Sequence, residues 1–466
     1  MLKWLFGSKK VSPKLPSNFK DLLDSDAVEI VDRLQKAGFE TYLVGGCVRD
    51  ILLNKKPKDF DIATSASPQK VKSLIHRAFV IGKRFRIVIA KRNARESKDE
   101  NLLFPFFKSD LPEKEFQITT FRRDPIEVDG VINENVFGTA KEDAFRRDFS
   151  LNALFLDPSK GRIVDFVKGL DDLSKGHLVV IGDPEVRFKE DPIRMLRAIR
   201  FVSRAGLRLE KKCELALIKH ISELKNSKRE RLREEILKIL REGHAPEVFE
   251  HLKKLGAWIH VSPALESYFK SAGVWGQTLT LIKTLKVTPW HHPSQSPFIF
   301  VAFYPLIENL LESKVQSSAL EDLKVSKAEW EDIFKIRWNL KRLQRDPQGQ
   351  NSTKLLTGHS ARNFIWWAQT FFVLHCLADA YPNKFSKLWK VWLPLWKSFS
   401  KEQHAIQKRN FYTKKHRHQG RKRSPERENP SSRGGSSFSS TPSVKPSTSR
   451  EPLLPGTRSG GGNDVD

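Results

Sequence analysis

The amino-acid sequence predicts an α+β fold in which strands come early and helices follow. Three observations carry this. Short runs of strand character, Tyr42 to Val44, Val80 to Ala90 and Glu115 to Phe121, all lie in the early part of the chain. Beyond Asp191 the apolar residues recur at helical spacing, in Arg231 to Leu240, Val248 to Leu255, Phe298 to Leu311, Trp330 to Leu343 and Phe364 to Ala378. After about Ser398 the chain turns basic and then Ser/Gly/Pro-rich, a composition that cannot bury a core and predicts a disordered tail.

The first helix is expected from Asp26 to Gly38. Asp26 and Glu29 have capping-box spacing, Val28, Val31 and Leu34 recur on one side, and Gly38 stops it. The next stretch is the one on which function should rest. Residues 42–62 read YLVGGCVRDILLNKKPKDFDI: an apolar strand, a Gly45-Gly46 turn, a short amphipathic segment with Arg49, then Asp59 and Asp61 flanking Phe60. Glycines let the backbone approach a phosphate closely. Amide groups at a helix start, with Arg49, would hold negative oxygens. Residues i and i+2 of a strand share a side, so Asp59 and Asp61 could hold hard cations between them, with substrate phosphates completing the shell. An Asp-x-Asp or a Gly-Gly alone is usually only a turn; the combination in one short unit is what points to a site.

Ser67-Pro68 is an N-cap and first-turn pair for a second helix with Val71, Leu74, Ile75 and Ala78 on its buried side. Val80 to Ala90 reads as a strand pair with Lys83, Arg84 and Arg86 at its bend. Lys91 to Lys114 is a charged insertion with no assignable role. In the strand Glu115 to Phe121, the side shared by Glu115 and Gln117 is expected to look toward the acidic pair. Glu142 to Leu154 sets Arg146, Arg147, Asp148 and Asn152 among apolar residues, so a buried charged cluster there must be paired or ligand-bound. From Asp191, the sequence DPIRMLRAIR repeats arginine every three residues at Arg194, Arg197 and Arg200, expected along one helical side with Asp191.

Composition narrows the partner. The chain of 466 residues is long enough for two or three domains, and 39% hydrophobic content supports a sizeable core. With 82 Lys+Arg against 55 Asp+Glu the formal net charge is +27, which points to a polyanion, nucleic acid first. Cys47, Cys213 and Cys376 are widely separated, which excludes a disulfide framework and a zinc site and suits a reducing cytoplasm. The N-terminus has no signal-peptide apolar region of adequate length; Leu2, Trp4, Leu5 and Phe6 read as a packed or frayed end, with a weak membrane contact as the alternative. Residues 364–378 are too short and too interrupted to span a bilayer, so a buried helix and no stable membrane span are expected.

GGCVRDILL followed by KDFDIAT resembles the signature of the class II nucleotidyltransferases of the polymerase β superfamily, the CCA-adding enzymes and the bacterial poly(A) polymerases. The resemblance implies a small polymerase-β-like head of mixed sheet with helices, then an all-α neck and body. Domains are then expected at 26–170 (head), 171–260 (neck) and 261–398 (body), between an extension at 1–25 and the tail at 399–466. RRDFSLNA matches a family element in which Arg147 and Asn152 serve the nucleotide and Asp148 joins Asp59 and Asp61 as a third acid, or orients rather than ligates. Asp191 and Arg194 match the element that reads the incoming base, with Arg197 and Arg200 neutralising phosphate. The family has Glu where this chain has Gln117, and Glu115 is the residue that could substitute. GKRFRI at 82–87, FVAFYPLI at 300–307 and the basic tail look like the bacterial poly(A) polymerases.

The expected reaction is template-independent adenylyl transfer from ATP to an RNA 3′ end, with Gly45, Gly46 and Arg49 at the triphosphate. Two Mg²⁺ ions on Asp59 and Asp61 would activate the 3′-hydroxyl and neutralise the leaving oxygens. The alternatives are a CCA-adding or A-adding tRNA nucleotidyltransferase and a catalytically silent RNA-binding protein.

Overall fold

The computed structural model describes residues 14–82, 86–92, 114–123, 126–128, 131–133, 136–285, 294–313, 321–356 and 361–400. Lys83 and Arg84 of the basic bend, most of the insertion, the first residues and the tail lie outside them. The described residues belong to one compact unit.

The head is built on a seven-stranded mixed sheet. In chain order its strands are β1 (Thr41–Val44), β2 (Asp61–Thr64), β3 (Ala78–Ile81), β4 (Ile87–Arg92) and β5 (Lys114–Thr120), then, after a small hairpin of β6 (Ile126–Val128) and β7 (Val131–Asn133), β8 (Leu154–Asp157) and β9 (Arg162–Asp165). The spatial order is β3-β4-β5-β2-β1-β8-β9, with β2 and β5 parallel and the other neighbours antiparallel. Alternation along the central strands assigns their two sides. Leu43, Ile62, Leu154 and Leu156 enter the large core shared with the helices, while Tyr42, Val44, Ala63 and Phe155 pack in a smaller cluster with Phe121, Ala140 and Ala144.

The first helix, α1 (Ser25–Lys36), is capped by Asp24, whose carboxylate accepts from the amides of Asp26 and Ala27, rather than by the expected Asp26–Glu29 box. It begins one residue earlier than the spacing suggests, so Asp26 falls in its first turn, and Gly38 ends it at φ +87°. α2 (Gly46–Leu52) follows β1 directly, and α3 (Pro68–Leu74) carries the expected Ser67 cap. After α4 (Ala140–Phe145) and α5 (Gly169–Ser174), the chain continues as α6 (Pro184–Glu190), α7 (Ile193–Ala205), α8 (Lys211–His220), α9 (Arg229–Arg241) and α10 (Ala245–Lys254).

Helices continue at Lys327–Arg345, Ala361–Ala380 and residues 382–400. The expected helix from Phe298 to Leu311 is two, Ser296–Ala302 and Tyr304–Ser313. Pro305 has no amide hydrogen to give the Val301 carbonyl, so the run breaks at Phe303 and restarts with Pro305 in a first turn, where proline is tolerated. Phe371 and Phe372 are fully buried in Ala361–Ala380. No helix among the described residues is long and apolar enough to cross a membrane.

Candidate active site

The site grows from the junction of β1 and α2. Gly45 has φ +76° and ψ −133°, a backbone region open to glycine, and it turns the chain from strand into helix within one residue. A Cβ on Gly45 would stand 3.6 Å from Asp61 Oδ2 and 3.7 Å from Arg147 Nη1. The bare glycine therefore faces a carboxylate and a guanidinium drawn from β2 and from the segment after α4. Asp61 opens β2, where it pairs in register with Val44 on one side and Gln117 on the other. Phe60 and Ile62 are buried, whereas Asp59 and Asp61 keep access to solvent, as their alternation predicts.

Protein mass around Asp61 pushes its carboxyl up from the ordinary range, Arg147 opposes that, and Asp59 adds to it. An open carboxylate pair in which the charge of Asp61 is held back in this way is suited to a cation. Among the described residues no three His, Cys, Asp or Glu side chains come together as a set that could hold a metal ion. The acidic pair is thus a two-carboxylate platform. Glu115 does not extend it, because its carboxylate pairs with Lys91 at 3.1 Å, while Gln117 is the β5 residue beside Asp61. Behind the turn, burial pushes the Cys47 thiol up to about 12, and its Sγ donates to the Val44 carbonyl. It is an inert packing group.

Arg147 is aimed by Asp143. Its Nε and Nη2 donate to Asp143 Oδ2 at 3.1 and 2.8 Å, its Nη1 donates to the Asn152 carbonyl at 3.1 Å, and its guanidinium lies 5.4 Å from the Phe155 ring centre. Burial works to raise the Asp143 carboxyl, but Arg147 and Arg146 outweigh it and hold Asp143 below the usual range. Asp143 stands four residues before Arg147, an ion-pair spacing on a helix that sequence reasoning passed over.

The other residues expected at the phosphates are turned inward. Arg49 is only 3% exposed. Its Nε and Nη2 donate to Asp50 Oδ1 and its Nη1 to Asn152 Oδ1 at 2.9 Å, so it braces the turn from behind instead of projecting toward a ligand. Its Nη2 nonetheless lies 3.5 Å from where a Gly46 Cβ would stand. Asp148 does not join Asp59 and Asp61. Its Oδ2 pairs with Arg197 at 2.6 Å, and its Oδ1 accepts from the Phe149 amide at 2.9 Å and from Asn152 Nδ2 at 3.5 Å.

The arginine row of α7 is not one free side. Arg200, expected at phosphate, is buried and donates to Glu235 and Glu242 at 3.1 and 2.6 Å. Burial works against its charge, but the two glutamates more than compensate and raise its pKa. Arg194 donates to the Arg187 carbonyl and to Glu190 at 2.8 and 3.2 Å. Asp191 lies between α6 and α7, and both its oxygens accept from Arg231 of α9 at 2.8 Å. Asp191 and Arg194 thus have separate partners. Arg204 donates to Asp50 Oδ2 at 2.7 Å, which closes a chain of charges from α2 to α7 and α9.

Residues 41–179 match the family described as "Poly A polymerase head domain", and residues 206–269 match "Probable RNA and SrmB- binding site of polymerase A". The chain is similar to poly(A) polymerase I of Haemophilus influenzae (37% identical, 52% of each protein covered) and to poly(A) polymerase I of Salmonella typhi (33% identical, 64% of each). It is also similar to the CCA-adding enzyme of Lactobacillus helveticus, 37% identical over 48% of this chain and 52% of that one. The chain spans between about half and just under two thirds of these relatives' lengths. A Bacillus stearothermophilus CCA-adding enzyme in complex with CTP shares the fold at a TM-score of 0.54 and 23% identity, over 80% of this chain and 82% of that one.

Proposed function

We propose, from the match of residues 41–179 to the poly A polymerase head domain, that this chain is a template-independent polynucleotide adenylyltransferase acting on RNA 3′ ends. The observation that carries the proposal is the open Asp59–Asp61 pair facing Arg147 across the bare Gly45. The relatives named poly(A) polymerase I support AMP as the transferred group. On this reading 26–170 is the catalytic head, 171–260 the neck that selects the nucleotide and 261–398 the body that holds RNA.

Two open carboxylates fit Mg²⁺, which takes one or two protein carboxylates and completes its shell with water and substrate phosphates. Bound by Asp59 and Asp61, it would supply charge neutralisation on the attacking and leaving oxygens. The remaining work belongs to the chain. Arg147, fixed by Asp143, is placed to hold a phosphate oxygen of ATP, and the absent side chain at Gly45 leaves that oxygen a path between guanidinium and carboxylate. Gly46 opens α2 beside it. Asp148, Asn152 and Arg197 would orient the ribose side of the nucleotide. Asp191 and Arg194 would read the base once it displaces their present partners. The RNA 3′-oxygen would bond to the α-phosphorus, and pyrophosphate would leave.

The CCA-adding alternative is favoured by the similarity to the Lactobacillus helveticus enzyme. One gel assay separates the readings, with Mg²⁺, each nucleoside triphosphate in turn, an unstructured RNA and a tRNA lacking its terminal CCA. A long ladder on the unstructured RNA with ATP alone is expected. Addition that stops after three nucleotides on the tRNA and needs CTP would overturn it in favour of CCA addition. No addition to either would leave an RNA-binding protein.

A further inference from the structure

The helix Lys327–Arg345 presents to solvent a side unlike that of an ordinary surface helix. Phe334 and Trp338 are 51% and 52% exposed, one turn apart, and Trp330 continues the row with its ring centre 5.7 Å from that of Phe334. The opposite side is conventional: Ile333, Ile336, Leu340 and Leu343 are buried. Exposed aromatics of this size usually meet something. What surrounds them is cationic. Lys335 Nζ lies 4.9 Å from the Trp338 ring centre and 5.1 Å from that of Trp366, and the Arg342 guanidinium lies 4.3 Å from Trp338 and 5.8 Å from Trp367. Lys341 and Arg345 fall on the same side of the helix.

We propose that this face, centred on Trp338 and Phe334 and bordered by Lys335 and Arg342, is a stacking platform for the unpaired bases of single-stranded RNA. The proposal rests on the RNA-substrate reading above and assigns it a site outside both the head and residues 206–269. Charge and shape choose the occupant. An aromatic face offers any base a stacking surface, and neighbouring cations neutralise the phosphates that follow. A protein-binding helix would add exposed aliphatic anchors to such a row; here Ile333 and Ile336 are buried, and the unburied positions between the aromatics are Glu331, Asp332, Lys335 and Arg337. The helix is also joined to the neck: Glu329 in its first turn pairs with Arg233 of α9, two residues from the Arg231 that holds Asp191.

The test uses the full chain and two fluorescein-labelled probes, an unstructured oligoadenylate and a blunt RNA duplex of equal length. Trp338→Ala should weaken oligoadenylate binding by roughly tenfold, the scale of one lost base stack, and leave duplex affinity within about twofold because duplex bases present no free face. Trp338→Phe should restore most of the loss. Arg342→Gln should flatten the salt dependence of binding, whereas Trp338→Ala should leave its slope unchanged. Oligoadenylate binding unchanged in Trp338→Ala, the result expected if the face takes a protein, would overturn the platform, as would equal losses on both probes. If the unmodified chain extends RNA in the gel assay while Trp338→Ala binds as it does, only the platform fails. An unmodified chain that neither binds nor extends RNA refutes the substrate reading and the platform with it.

Discussion

Asp59 and Asp61 stand open at the start of the head sheet's central strand, while Asp50, Asp143 and Asp148, close to them in sequence or space, are each closed against arginine. The residue types are the same; what differs is whether the fold supplies the counter-charge. At Asp61, burial and Asp59 raise the cost of ionisation, and the cation that acts on it among the described residues, Arg147, already serves Asp143. At Asp50, two arginines, Arg49 and Arg204, converge on one carboxylate. The open pair retains capacity for an external cation, and the closed set uses its capacity to tie α2 to α7 and α9.

Breaking each region should therefore damage different properties. Asp61→Ala removes half of the open pair, so nucleotide addition should fall by roughly a thousandfold or more, while RNA binding and the thermal unfolding midpoint stay near those of the parent. A large drop in unfolding midpoint with activity retained would show that Asp61 belongs with the closed set. Arg200→Ala leaves buried Glu235 with only Lys238 at 3.1 Å and Glu242 with only Arg204 at 3.8 Å; chemical denaturation should report a loss of about 3 kcal/mol. The comparison fails if that variant loses addition but keeps its stability. Gly45→Ala tests the turn between the two regions. The new methyl group would meet Asp61 and Arg147 only at ordinary contact distances, so the cost comes from φ +76°, of order 1–3 kcal/mol, and a shifted turn should lower addition roughly tenfold. Full activity in Gly45→Ala would mean that ligands do not use the turn.

The sequence disclosed the open region far better than the closed one, for a physical reason. Strand, Gly-Gly turn, helix and Asp-x-Asp are local features within residues 42–62, and local periodicity places Asp59 and Asp61 on the open side directly. The same holds for the Ser67 cap and for the pairing of β3 with β4. Partners of charges are a tertiary matter. Nothing near Arg200 reveals Glu235 or Glu242, more than thirty residues away, and the spacing of Arg194, Arg197 and Arg200 reads as one free side because helical geometry says nothing of what packs against it. Arg49 looked like a phosphate ligand on the same grounds, although Asp50 beside it was a visible counter-charge.

The smallest effect tests where the open region ends. Glu115 lies two residues from Gln117 on β5, and Gln117 is the register partner of Asp61, so a third acid could have come from this strand. The structure gives Glu115 to Lys91 in a half-exposed pair, an arrangement that contributes less than about 1 kcal/mol to stability. Glu115→Gln should leave nucleotide addition within about twofold and the Mg²⁺ concentration for half-maximal rate unchanged. If half-maximal rate instead required severalfold more Mg²⁺, the acidic platform would extend along β5, and the boundary between open and closed carboxylates would move by one strand.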